Sequence, residues 1–127
     1  MIINNITIGE GDYILGFAKD RISYHYILAF AIRVDSACEN SISVVLNRYH
    51  YDDGTLTFCT EDCILSTDAI IDALTWSYVA TFSKERYEEL VELFRTENLD
   101  EDNMFAIFDD FWAEAIARFN NIEEASN

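Results

Sequence analysis

The 127-residue chain has no proline, four glycines, two histidines and only eight lysines and arginines. With no proline and no glycine- or serine-rich stretch, nothing divides it into units joined by a linker, and no low-complexity tract or internal repeat is present. One domain is expected. Eight scattered basic residues cannot form a groove that tracks phosphates, which argues against direct nucleic-acid binding. The three cysteines, Cys38, Cys59 and Cys63, are an odd set, and reduced thiols are the expectation. The longest apolar run, residues 22–34, contains His25 and Arg33 and is too short to cross a bilayer. The first residues show neither a basic n-region nor a long apolar h-region, so no secretory leader is expected. Together these absences predict a cytoplasmic protein that does not dock on membranes.

Acid is what the chain has in excess. Twenty-four Asp and Glu set the net charge at −16 and the pI near 4.1. Half of the residues are nevertheless hydrophobic and 14 % are aromatic. Disordered acidic tails lack that apolar content, and a chain of this size can bury roughly two-thirds of its unfolded surface. A folded domain with a strongly negative surface follows. Such a surface attracts basic partners, and its self-repulsion opposes the compact state. A net charge of about 2–8 is enough to keep a small domain soluble, so −16 points beyond solubility.

The first half reads as strands. Residues 2–8 form a short apolar run closed by Gly9-Glu10-Gly11-Asp12, a turn signal. Residues 13–18, 22–34 and 42–51 follow as extended segments. In 22–34, Tyr24, Tyr26, Leu28, Phe30, Ile32 and Val34 are expected on one face and His25, Ile27, Ala29 and Ala31 on the other; both faces are apolar, as in a central strand. In 42–51, Ile42, Val44 and Leu46 oppose Val45, Tyr49 and Tyr51. Asp52-Asp53-Gly54 predicts a tight hairpin, a type I turn with a G1 bulge, into a strand over 55–59. The second half changes period. Ser66 or Thr67 caps a helix over about 68–78, Ser83 caps one over about 84–96 with the stripe Tyr87, Leu90, Val91 and Phe94, and Asp100 or Asp102 caps a third to about 120. Residues 122–127 read as a tail. The fold class is therefore α+β, an antiparallel sheet of four to five strands followed by three α-helices packed mainly on one face. The third helix carries Met104, Phe105, Phe108, Phe111, Trp112, Ala115, Ile116 and Phe119, an aromatic face so broad that it predicts either burial under the other helices or a homodimer seam.

The acids cluster. Residues 84–127 hold 13 acids and 4 bases. Glu85, Glu88, Glu89 and Glu92 lie opposite the apolar stripe of the second helix, Asp109, Asp110 and Glu114 opposite that of the third, and Asp100, Glu101 and Asp102 sit between them. If the two helices pack antiparallel, these ten carboxylates line one ridge, several Å apart, much as phosphates are spaced along a nucleic-acid strand.

Other chemistries are poorly supported. Cys59-x-x-x-Cys63 has a spacing that zinc tolerates, but no second ligand pair accompanies it. His50 and Cys59 flank one hairpin and are expected near-opposed, without the sequence context of a cysteine enzyme. The paired acids Asp52-Asp53, Glu61-Asp62, Glu88-Glu89 and Asp109-Asp110 lie on turns or outer helix faces rather than in a cleft that raises one pKa. No calcium loop, P-loop or dinucleotide fingerprint is present. No enzyme, cofactor or metal is expected. Tyr24, Tyr26, Tyr49 and Tyr51 are read as core or core edge. In overall character the chain resembles phage-encoded inhibitors of bacterial defence, the anti-CRISPR and anti-restriction proteins; the likeness is compositional and covers no motif. It implies an acidic protein-binding inhibitor that mimics nucleic acid and blocks a basic nucleic-acid enzyme. An immunity or antitoxin-like protein that plugs a basic nuclease toxin, and an acidic secretion chaperone, are the alternative expectations.

Overall fold

The computed structural model describes residues 1–3, 5–20, 27–52, 55–95 and 101–125, and within the last helix the side chains of 106 and 108–122. Seven strands and three helices are present among them: β1 Ile2–Ile3, β2 Ile6–Thr7, β3 Tyr13–Ala18, β4 Ile27–Ala37, β5 Ser41–Asp52, β6 Thr55–Ser66, α1 Thr67–Trp76, β7 Ser77–Phe82, α2 Lys84–Arg95 and α3 Glu101–Ala125. The α+β expectation holds. β3 to β7 form one antiparallel sheet in the order β6-β5-β4-β3-β7, and β1 pairs with β2 beside it.

The sheet begins as a meander. Asp12 accepts from the amide of Gly9 through Oδ2 at 2.8 Å. The same turn is tied to β4 by Gly11 N–H to Val34 O and Val34 N–H to Asp12 O, both 2.9 Å. Gly11 has φ +85°, a conformation open to glycine, so the turn read at Gly9–Asp12 forms as expected. The 2–8 run, by contrast, is a miniature hairpin of two short strands, turned at Asn5 with φ +68°. Residues 21–26, with Tyr24, His25 and Tyr26, lie outside the described residues. β5 and β6 pair from Asp52↔Thr55 to Ser41↔Ser66. The predicted hairpin is therefore present, with two residues between its paired ends; Asp53 and Gly54 themselves lie outside the described residues.

Both faces of the sheet are covered. On one, Leu15, Phe17, Ala29, Ala31 and Tyr49 meet Tyr87, Leu90, Val91 and Phe94 of α2 and Phe108, Phe111, Trp112 and Ala115 of α3. Each large side chain buried there is worth about 1.5–3 kcal/mol. On the other, Ile14, Phe30, Ile32, Val34, Ile42 and Val44 meet Ile70 and Leu74 of α1 and Ile3 and Ile6 of the small hairpin. So two helices share one face and α1 takes the opposite one, a refinement of the expected single-sided packing. Leu28 joins Ala29 rather than Phe30, because a register shift between Ile27 and Ala29 breaks the strict alternation. Ile42, Val44 and Leu46 share the α1 face and Tyr49 the other, as expected.

The largest departure is β7. The helix expected over 68–78 stops at Trp76, and Ser77–Phe82 turns into the edge strand beside β3, with Phe17↔Tyr78 and Tyr13↔Phe82 in register. Ser77 ends α1 through its own amide and hydroxyl, both donating to Ala73 O. Lys19 fixes the same end: its amide donates to Trp76 O at 2.8 Å and its ammonium to Leu74 O at 3.3 Å. Ser66 is the N-cap, accepting from Ala69 N–H at 3.2 Å, as read from the sequence. α3 runs through the predicted tail to Ala125, with Ile122 half-buried against both clusters.

Candidate functional site: the acidic face of two helices

α2 starts where Ser83 accepts from Arg86 N–H at 3.2 Å. Its buried residues are Tyr87, Leu90, Val91 and Phe94, the stripe expected. That stripe forces Glu85, Glu88, Glu89 and Glu92 outward, and all four are exposed. On α3, burial of Phe108, Phe111, Trp112, Ala115 and Phe119 turns Asp109 and Asp110 to solvent. The described aromatic residues of this face are thus consumed by the protein's own core, while the side chains of Met104 and Phe105 lie outside the described residues. The Trp112 indole N–H donates to Ala18 O at 3.1 Å, and the ring packs tilted on Phe17 at 5.2 Å.

The two helices run antiparallel across the sheet. Phe94 near the end of α2 meets Phe108 edge-on at 5.6 Å, while Arg86 in its first turn reaches Glu114 at 2.8 Å. The antiparallel packing that the expected ridge presupposes is therefore present. Asp100 lies outside the described residues; Glu101 and Asp102 form the first turn of α3 in backbone only.

Glu114 is withdrawn from the outward ridge, and Glu89, although exposed, is paired. Glu114 sits in the seam, accepting two hydrogen bonds from Arg86, at 3.0 and 2.8 Å, and one from Arg118 at 3.0 Å. Glu89 takes the third arm of Arg86 at 2.7 Å. The Arg86 guanidinium also lies 3.8 Å from the Phe111 ring centre, and Arg118 lies 4.5 Å from that of Phe82. Burial works against the charge of Arg86, but the hydrogen bonds to Glu114 and Glu89 outweigh it and raise its pKa. This clamp is structural, and it neutralises two of the ten predicted partner-binding carboxylates.

Four other bases are also engaged within the chain. Arg33 pairs with Asp35 at 3.0 Å, Arg48 with Glu61 at 3.8 Å and Lys84 with Glu88 at 3.9 Å. Lys19 lies over the Phe119 ring at 4.9 Å. Of the ridge acids, Glu88 thus has Lys84 beside it. Among the described residues, neither Glu85 nor Asp110 takes part in an ion pair or hydrogen bond.

The remaining sequence candidates separate in space. Cys59 and Cys63 lie four residues apart on β6, roughly 13 Å along a strand, too far to share one metal. The Cys63 thiol is pushed up by burial and by the neighbouring Glu61, which lowers its reactivity. His50 stands opposite Thr57, and Cys59 opposite Arg48, so the pair expected to be near-opposed is diagonal across the ladder. Tyr49 is buried and Tyr51 half-buried.

A scan against protein-family models finds no match for this chain, and searches of curated proteins and of solved structures find no similar protein.

Proposed function

We propose that the protein is an acidic inhibitor that binds a basic nucleic-acid enzyme by presenting carboxylates where that enzyme expects phosphates. One observation carries this reading: two antiparallel helices bury complementary apolar stripes and turn Glu85, Glu88, Glu92, Asp109 and Asp110 to solvent on one side of the molecule. Carboxylates three and four residues apart on a helix are neighbours about 5–6 Å apart. Arg guanidinium grips carboxylate in the same bidentate fashion as phosphate. Such binding is fast and salt-sensitive, because charge steers the encounter. Its biological setting, on this reading, is defence against a nuclease or restriction-type enzyme.

The test is capture of partners from a host lysate at low and moderate salt, followed by an activity assay of each captured enzyme. The expected result is inhibition that falls with salt, is competed by DNA or RNA, and is lost when Glu85, Glu88, Glu92, Asp109 and Asp110 are all changed to Lys. Inhibition undiminished in that variant overturns the proposal. Capture of a single toxin, or of an unfolded segment insensitive to salt, replaces it with the immunity-protein or chaperone reading.

A further inference from the structure

The opposite face of the sheet holds an apolar cavity of about 200 Å³ between the strands and α1. Phe30, Ile32 and Leu46 form its floor, and Ala69, Ala73 and Trp76 of α1 its roof. Among the described lining residues the one ionisable side chain is Asp72. Ala69 and Asp72 are exposed, so the cavity reaches the surface along that flank of α1. No hydrogen bond or ion pair among the described residues engages the Asp72 carboxylate.

This is not a place where the sequence ran short of bulk. Beyond the cavity the α1 face is closed by Val34, Val44 and Leu74, all nine-tenths buried. Alanines stand at the two α1 positions where a larger side chain would fill the void, and glycine stands beneath Phe30. A Cβ at Gly16 would lie 2.0 Å from the Phe30 ring, so glycine lets that ring lie down on the sheet and keeps the space above it open. The walls are almost wholly apolar, so water inside finds few partners, and the volume suits an apolar molecule of about benzene size, which cavities of about 150 Å³ admit. The volume is too small for a peptide segment and below that of a drug-sized pocket.

The geometry points to a binding site for a short aliphatic molecule, about six to eight non-hydrogen atoms, whose hydrocarbon lies under Ala73 and Trp76 and whose neutral or cationic end meets Asp72. An anionic end is disfavoured by the same carboxylate and by the charge of −16 around it. The site lies across the sheet from the acidic helices and does not depend on partner binding.

Calorimetric titration of the native protein with n-hexylamine, n-hexanol and hexanoate tests this, with the thermal midpoint as a second readout. Expected are saturable one-to-one binding, a raised midpoint, and hexylamine favoured over hexanoate about tenfold, the combined effect of one exposed attraction and one exposed repulsion. Asp72→Asn is expected to bring the two within about twofold. Ala73→Leu is expected to abolish all three interactions while leaving the circular dichroism unchanged; should that variant not fold, Ala69→Leu at the exposed rim carries the same expectation. Non-saturable binding, binding by the filled variant equal to that of the native protein, or a charge preference that survives Asp72→Asn overturns the inference.

Discussion

Asn47 is 1 % exposed, and its amide joins four elements. It donates to Ala31 O of β4 at 3.2 Å and to the Tyr87 hydroxyl of α2 at 2.9 Å, and it accepts from Thr60 of β6 at 2.9 Å. Replacing it with Ala leaves Ala31 O and the Tyr87 hydroxyl without this partner in the buried interior. Asn47→Ala is expected to lower stability by about 2–3 kcal/mol, read from the urea midpoint. Tyr87 and Tyr49 are both pushed up by burial. A folded pKa above the unfolded one means that this contribution to stability is complete below about pH 10 and is lost as pH rises through the folded values. Alkaline titration at the tyrosinate absorbance is therefore expected to show Tyr49 and Tyr87 ionising above the ordinary tyrosine range, together with loss of structure. Gly16→Ala is a third test at this scale. The clash with the Phe30 ring is expected to cost about 1–3 kcal/mol, and a neutral result would mean that the ring swings into the cavity above it without loss. None of these three roles was legible beforehand. Gly16 and Asn47 are ordinary residues within apolar runs, and their importance arises from what the paired strand or the covering helix brings against them.

At the scale of elements, the sequence was most informative where one physical signal dominated. The i, i+3, i+4, i+7 stripe of α2, the caps Ser66 and Ser83, and the alternation along β5 all appear as read. β7 was missed because six residues of strand, Ser77–Phe82, follow α1 with no glycine or proline between them. The helical pattern was extended through Tyr78, although Val79, Thr81 and Phe82 are good strand formers. β6 runs to Ser66 rather than ending near Cys59 because backbone pairing with β5 continues past the charged Glu61 and Asp62, which face solvent at an edge. The acidic face was legible in the same way as the stripe it opposes. That Glu114 is withdrawn from it was not, since this depends on the antiparallel register of α2 against α3. The Arg86 clamp yields a prediction for that register. Arg86→Met keeps the packing of the stem but removes the guanidinium from the Phe111 ring and leaves Glu89 and Glu114 facing each other across the seam. A loss of about 1–2 kcal/mol is expected, measured by urea denaturation; an unchanged midpoint would mean that the apolar contacts alone hold the two helices together.

For the whole molecule, the two faces of the sheet are organised differently, and the charge ties stability to the proposed activity. The α2–α3 face is filled by interlocked aromatic rings, with Tyr49, Phe94 and Phe108 within 5.7 Å of one another, and supports the acidic ridge rigidly. The α1 face keeps a void. Over this frame lies a net charge of −16, whose repulsion is screened over about 30 Å at 0.01 M salt but only about 3 Å at 1 M. Stability is therefore expected to rise with added sodium chloride, opposite to the expected fall in partner binding. Neutralising the ridge separates the two effects. A variant with Glu85, Glu88 and Glu92 changed to Gln and Asp109 and Asp110 to Asn removes five negative charges while leaving Arg86, Glu89 and Glu114 in place. At low salt its thermal midpoint is expected to exceed that of the native protein, with the difference closing as salt is added. If the acids serve recognition, the same variant loses salt-sensitive inhibition of its partner even as it gains stability. A variant that is both more stable and fully active would show the ridge to be a solvated surface, and would move the search for a binding face to the other side of the sheet.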